Sequence, residues 1–301
     1  MKTAAFLVGR VIALTIILFV CYAVAGGVVG QQGNTQESES SSAALTLLAV
    51  CFLQTIVLSH LILRSRWTGW RLAAAVFVVF YGVTTFMAQI ESMVFLTRLP
   101  PGLIPRLFLM GALIAAPFSI LAVLILGKRK AAIADGEPTP RLDMPASEWA
   151  WKLAIIALVY LILYFTFGYF IAWRNPAVLE YYRGIDEGSF FAHMAADVRD
   201  KPWLIPFQIL RAMLWVALAL TVIRMLKRPW PETALSIGLL FSVVMNSLLL
   251  LPNPYMPEPV RMAHLVETAS SNFIFGVLIG WLLTPREEPT SISQTTITPR
   301  A

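Results

Sequence analysis

The chain has 301 residues, of which 58% are hydrophobic and only 13% are charged, and its mean hydropathy is +0.72. This composition excludes an ordinary soluble domain. The formal net charge of +6 does not indicate a nucleic-acid partner, because the Lys and Arg residues stand at the ends of hydrophobic blocks, where membrane orientation explains them.

Eight hydrophobic blocks follow one another along the chain, each near the roughly 20 residues that a membrane-crossing helix needs. Charged residues or Pro and Gly breaks separate them. The predicted spans are 9–30, 43–64, 69–96, 103–127, 150–173, 203–226, 232–252 and 259–283. The predicted fold class is therefore an all-α polytopic transmembrane helical bundle of about eight spans.

Basic residues mark every second connection between the spans, whereas the 31–42 loop contains none. By the positive-inside rule these connections are cytoplasmic, and an even number of spans then places both termini in the cytoplasm. We expect an integral, multi-pass protein of the lipid bilayer, located in the cytoplasmic (inner) membrane of a bacterium. The basic residues are Lys2, Arg10, Arg64, Arg66, Arg71, Lys128, Arg129, Lys130, Arg141, Arg224, Lys227, Arg228 and Arg286.

The first block has a second interpretation. Its basic start, its apolar run and Ala23-Val24-Ala25 also resemble a secretory signal peptide with its cleavage site. The apolar run is long for a signal peptide, which favours a retained helix. Cleavage would leave the topology of the remaining spans unchanged.

The connections divide the chain into two halves. We predict an N-terminal four-helix half at 1–130 and a C-terminal four-helix half at 149–284. A polar cytoplasmic linker, 131–148, joins them, and a disordered cytoplasmic tail covers 285–301.

The largest external segment is 174–202, within the C-terminal half. Its middle is predicted to form a short helix that lies on the membrane surface or covers the bundle. The apolar residues on roughly one face of that helix are Phe190, Phe191, Met194 and Val198.

Two proline-rich hairpins indicate an internal repeat. Residues 99–106 join the third and fourth spans, residues 251–261 join the seventh and eighth, and each hairpin finishes with an Arg. A 4+4 duplication with parallel copies accounts for this layout, although any external hairpin attracts Pro and a basic residue. The positions matching His264 and Glu267 fall near 112–116, a stretch of small apolar residues. Only one copy is therefore expected to carry polar chemistry.

Polar residues inside the spans are the main functional candidates, because ionisable groups at membrane depth are costly and rarely lack a partner or a task. Four spans contribute such residues at similar depth, in the half that is predicted to face outward. Three of them, His264, Glu267 and Ser271, form one stripe because offsets of three and seven share a helix face. The pocket candidates, for binding or for carrying a proton, are Gln89, Glu91, Gln208, Arg211, Asn246, His264, Glu267 and Ser271.

Two pairings of these charges are open. Glu91 and Glu267 are interpreted as the only acids within the spans, and Arg211 needs a carboxylate because it stays charged at that depth. Either Arg211 bridges both acids, or Arg211 pairs with Glu91 while Glu267 pairs with His264. The structural alternative is a set of interhelical hydrogen bonds, each contributing about 0.6 kcal/mol.

Signatures of familiar membrane chemistry are missing from the sequence, among them HExxH, GxSxG, GxGD and phosphate-binding loops. His264 and Glu267, with Glu91 as a third ligand, have a spacing that could hold a divalent metal. This two-residue pattern is weak, so we predict no metal, and neither a cofactor nor a catalytic residue is indicated. Cys21 and Cys51 lie inside spans and are expected to serve packing.

Aromatic residues crowd the fifth span, where Tyr160, Tyr164 and Tyr169 follow one another at short spacing. We interpret them as lipid-facing or core residues rather than as a ligand site.

Three functions remain open, and the oligomeric state is not indicated. Outward-facing binding or transport of a small solute ranks first, although no span has a Pro or Gly break at mid-depth except near Pro117. An intramembrane enzyme acting on a lipid or polyprenyl substrate ranks second, with His264 as base, Glu267 as its orienting partner and Arg211 as an anion clamp. A membrane scaffold or assembly protein ranks third.

Overall fold

The computed structural model describes residues 2–29, 37–96, 99–129, 142–182, 184, 188–226, 229–253 and 255–285. Throughout these residues the chain is helical, with two isolated β-bridges and no strands, which confirms the all-α fold class. Some sequence predictions lie outside the described residues: the basic residues Lys130, Arg141, Lys227, Arg228 and Arg286, the linker as far as 141 and the tail from 286.

Eight helices in the described chain are long and apolar enough to cross a membrane, so the chain is a multi-pass membrane protein. Two short helices, α6 and α7, form what we call the cap, and the end of the bundle that carries them is the cap end. The helices are α1 (Lys2–Val29), α2 (Glu37–Arg64), α3 (Gly69–Phe95), α4 (Leu103–Ile125), α5 (Ala146–Ala172), α6 (Pro176–Tyr182), α7 (Phe190–Asp200), α8 (Leu204–Met225), α9 (Trp230–Leu250) and α10 (Glu258–Leu283).

Helix packing follows the same order in both halves. In the first half α1 packs against α2 and α4, and α3 packs against α4. In the second half α5 packs against α8 and α10, and α9 packs against α10. Across the halves α3 meets α8, and the equivalent pair α2 and α9 also meets. This packing accords with a 4+4 parallel repeat, but the repeat and the division into domains stay predictions.

The ends of the equivalent helices α2 and α8 meet at the end opposite the cap. Ser65 and Leu226 form an isolated antiparallel bridge, and the Arg66 backbone N–H donates to the Met225 carbonyl over 2.8 Å. The Ser65 hydroxyl donates to the same carbonyl. These bonds satisfy carbonyls that the end of α8 leaves without helical partners, and they join the two halves.

Three spans contain a π-helical turn that the sequence did not predict: Gly82–Phe86 in α3, Gly168–Ala172 in α5 and Leu240–Val244 in α9. By contrast, α4 continues through Pro117, near which the only mid-span break was predicted. A π turn inserts one residue without interrupting the apolar run, so hydropathy does not reveal it. The irregular backbone therefore lies in the spans around the polar residues and not in α4.

The external segment forms two helices where the sequence predicted one. Pro176 begins α6, and Ser189 caps α7 by accepting a hydrogen bond from the Ala192 backbone N–H. α6 packs on the start of α10 through Val178 and Val260. The predicted apolar face of α7 is split, because Phe190 stacks on the rings of α5 whereas Phe191 is 79% exposed.

Candidate functional site

A polar cavity lies at the cap end between α3, α5, α8, α9 and α10. It has a volume of about 40 Å³, which is room for about three water molecules. Its position follows from the helix directions, because α3 ends at this end of the bundle whereas α8 and α10 begin there. The residues that line it are Glu91, Tyr160, Leu163, Tyr164, Arg211, Met245, Glu267, Thr268, Ser271, Asn272 and Phe275.

Arg211 and Glu91 form an ion pair on one side of the cavity, with Arg211 Nη2 2.7 Å from Glu91 Oε2. Arg211 Nη1 also donates to Gln208 Oε1 over 3.1 Å, one turn earlier on α8. The guanidinium carbon lies 6.0 Å from the Tyr160 ring centre and 5.9 Å from that of Phe207. The Arg211 side chain is 5% exposed and that of Glu91 is 34% exposed, so the cation is the more enclosed partner.

A chain of three side chains runs from the cap to the other side of the cavity. The Tyr182 hydroxyl on α6 lies 3.1 Å from His264 Nε2, and His264 Nδ1 lies 2.7 Å from Glu267 Oε2. Burial raises the pKa of the Tyr182 hydroxyl, which therefore stays protonated and can donate to His264. With the imidazole proton on Nδ1, His264 accepts from Tyr182 and donates to Glu267. The three groups thus form a continuous hydrogen-bonded path.

Both carboxylates line the cavity, and each is hydrogen-bonded through only one of its oxygens in the described chain. Within the described chain, Glu91 Oε1 and Glu267 Oε1 make no hydrogen bond, while the second oxygen of each is held by a base. The π turn of α5 brings Gly168 against Glu267, where a Cβ atom would lie 3.6 Å from Oε1. The site therefore holds two carboxylates, one permanent cation and one imidazole around a small space.

Asn246 on α9 links the π turn of that helix to α10 beside the cavity. It follows the π turn of α9, and its Nδ2 donates to the Phe241 and Ser242 carbonyls over 3.0 and 2.9 Å. Its Oδ1 accepts from the Thr268 hydroxyl over 2.7 Å. Asn246 thereby satisfies carbonyls of the irregular backbone of α9 and holds the side chain of Thr268, the residue after Glu267.

The structure brings most of the sequence candidates together, in the second of the two pairings. Glu91, Arg211, Glu267 and Ser271 line the cavity, whereas Gln208, Asn246 and His264 each bond a lining residue. Gln89 is the exception. Its Oε1 is buried and has no hydrogen-bond partner in the described chain, and Gln89 does not line the cavity.

Sequence reasoning missed two tyrosines and one acid. Tyr160 is a buried core residue, as one of the two interpretations expected, and both Tyr160 and Tyr164 also line the cavity, which the sequence did not indicate. Their four-residue spacing places both on one helix face, but no sequence signal shows which way that face points. Glu232 lies in α9 at the opposite end of the bundle, 3.1 Å from Arg64 Nε, so Glu91 and Glu267 are not the only acids in spans.

The other half of the bundle is less apolar than the sequence indicated. At the equivalent contact of α1, α2 and α9, the Tyr22 hydroxyl donates to Gln54 Oε1 over 3.1 Å. Gln54 Nε2 donates to the Val244 carbonyl and lies 3.3 Å from Ser247 Oγ. These groups are uncharged, so the two equivalent places differ in charge rather than in polarity.

The metal alternative is not supported. Among the described residues no group of three or more His, Cys, Asp or Glu side chains is arranged to hold a metal ion. His264 and Glu267 bond each other, and Glu91 bonds Arg211, so the weakly indicated set of three does not converge on one point.

Comparison with protein-family models, curated proteins and solved structures found no match to this chain.

Proposed function

We propose that this protein binds a small polar solute from the cap end and couples its passage across the membrane to protons carried by His264 and Glu267. By the positive-inside prediction the cap end faces outward, and we expect the membrane to be a bacterial cytoplasmic membrane. The observation that carries the proposal is the meeting of two acid–base pairs, His264–Glu267 and Arg211–Glu91, at one cavity.

The arrangement supports proton transfer because the path is continuous. Tyr182 connects the cap to His264, His264 bonds Glu267, and Glu267 lines the cavity. Ionisable groups within membrane spans mark ion pathways and proton relays in many transporters. The matching order of packing in the two halves also accords with transporter folds built from repeats.

Charge movement on acidification tests the proposal without knowledge of the solute. Proteoliposomes on a solid-supported membrane receive a step to lower pH, and a proton that reaches Glu267 moves charge into the membrane. We expect a transient current from the wild-type protein. Because Gln cannot take up a proton and Glu267 is one of the two proposed carriers, the displaced charge is expected to fall to about half of the wild-type value or less in E267Q.

E232Q is the matched control, since it neutralises a carboxylate that pairs with Arg64 in another part of the bundle. It is expected to keep the wild-type current. A wild-type protein without a current, or an undiminished current in E267Q, contradicts the proposal. Loss of stability in E267Q without any wild-type current favours the scaffold alternative.

The second candidate is an intramembrane enzyme that acts on a lipid or polyprenyl substrate. Tyr182, His264 and Glu267 favour it, because a hydroxyl, an imidazole and a carboxylate in this order also activate nucleophiles. Turnover of membrane lipid extracts by the purified protein distinguishes this candidate from transport.

A further inference from the structure

The ion pair at the cavity has one fixed member and one accessible member. Arg211 is held by Gln208, its guanidinium carbon lies 6.0 and 5.9 Å from the centres of the Tyr160 and Phe207 rings, and its side chain is almost fully enclosed. Glu91 lies near the end of α3, and a third of its side chain is exposed. A ligand that enters the cavity therefore reaches the carboxylate of Glu91 first, while the guanidinium keeps its place.

Two buried hydrogen-bond donors at or next to this guanidinium have no acceptor in the described chain. Arg211 Nε and Gln208 Nε2 are both buried and have no acceptor within the described chain. Their offset of three residues places them on one face of α8. Buried donors without acceptors are rare in folded proteins, and donors beside a cation select a ligand with several acceptor oxygens.

The size of the cavity limits that ligand to very few atoms. Its volume of about 40 Å³ admits about three water molecules. The carboxyl group of Glu91 already occupies the place beside Arg211 Nη2, at 2.7 Å. A free carboxylate of one or two carbons has the same geometry and fits the place that Glu91 vacates.

We propose that a one- or two-carbon carboxylate, such as formate or acetate, replaces Glu91 on Arg211, and that Glu91 takes up one proton as it leaves. This inference rests on the proposed function and names its substrate class. In each binding event the site takes up one solute anion and one proton, and the proton binds to a Glu91 oxygen. The proton is required because a third carboxylate beside Arg211 and Glu267 would leave uncompensated charge in a buried site.

Titratable groups from four helices lie around Glu91. Among the described residues, the cavity lining adds no titratable group from α4 or α9. The titratable groups around Glu91 are Arg211 from α8, His264 and Glu267 from α10, Tyr160 and Tyr164 from α5, and Tyr182 from α6.

Binding of formate to the purified protein in detergent tests the exchange. Sodium formate and sodium acetate are titrated at mildly acidic and mildly alkaline pH, with sodium chloride at equal ionic strength as the reference, and the thermal midpoint is recorded. We expect saturable stabilisation by both carboxylates and none by chloride. Affinity rises up to about tenfold for each pH unit of acidification while Glu91 is ionised, because one proton enters with each anion.

Two variants separate the roles of the pair. E91Q resembles the protonated state and is expected to bind formate at least about tenfold more tightly than wild type at alkaline pH, without further pH dependence. E91Q/R211Q removes both charges of the pair, so it leaves no unpaired charge in the site and is expected to fold. It is expected to lose the thermal stabilisation by formate. E232Q binds formate as the wild type does.

The proposal is overturned if the wild type shows no saturable effect of formate or acetate at either pH, or if E91Q/R211Q still responds. It is also overturned if E91Q binds no more tightly than wild type at alkaline pH. Binding in detergent is independent of the current measurement. Formate binding without a proton current refutes the transport function alone, and a proton current without formate binding refutes the substrate class alone.

Discussion

R211Q is expected to lower the free energy of unfolding by about 1.5–3 kcal/mol, because it removes the charged hydrogen bonds of an enclosed guanidinium while Glu91 keeps partial access to solvent. Arg211 also bonds Gln208, and Gln at this position cannot reproduce the two directions in which the guanidinium donates. Denaturant or thermal unfolding in detergent measures the loss.

A double-mutant cycle attributes this loss to the pair. E91Q/R211Q removes both charges and is expected to recover more than half of the stability that R211Q loses. Additive losses in the double variant would contradict a direct ion pair between the two residues.

G276A is expected to destabilise the protein by about 3 kcal/mol, because the added methyl group meets backbone rather than a movable side chain. A Cβ atom at Gly276 would lie 2.8 Å from the Gly238 Cα and 2.9 Å from the carbonyl carbon of Ile237. The close approach of α9 and α10 at this point therefore depends on two glycines that face each other, the contact that small residues allow in membrane bundles. The shift of the unfolding midpoint in detergent measures the effect.

Gly26 supplies the matched control, since a Cβ atom at that position meets nothing within 4 Å. G26A is expected to leave stability unchanged or to raise it by up to about 1 kcal/mol, as Ala favours a helix more than Gly does. Equal effects of G276A and G26A would refute the close contact of α9 and α10.

The spans were predictable because each is a physical block of apolar residues whose length the membrane dictates. The predicted span 203–226 compares with Leu204–Met225, and 103–127 compares with Leu103–Ile125. The three π turns and the second cap helix were not predictable in this way, because neither changes the length of an apolar block. Helix rotation also escaped prediction, which is why the sequence did not show that Tyr160 and Tyr164 line the cavity.

The charges of the site were predictable from depth, whereas their partners were not. Glu91, Arg211 and Glu267 stand at similar distances from the ends of their blocks, and the cost of isolated charge in a membrane requires them to meet. Which carboxylate holds Arg211 depends on the order of the helices around the bundle. The contribution of Tyr182 depends on where the cap folds, and no periodicity in 174–202 reveals that.

Water and small ions are expected to reach the cavity from the cap end, and access of a small cation to the cavity wall tests this most directly. S271C, in a C21A/C51A background that removes the native thiols, places a thiol on the cavity wall. External Ag⁺ is applied to intact cells, and the thiol that remains free is then labelled with a maleimide after denaturation. We expect external Ag⁺ to protect the introduced thiol from labelling by the maleimide. Protection only when Ag⁺ is applied from the cytoplasmic side of inverted vesicles, or from neither side, would contradict it.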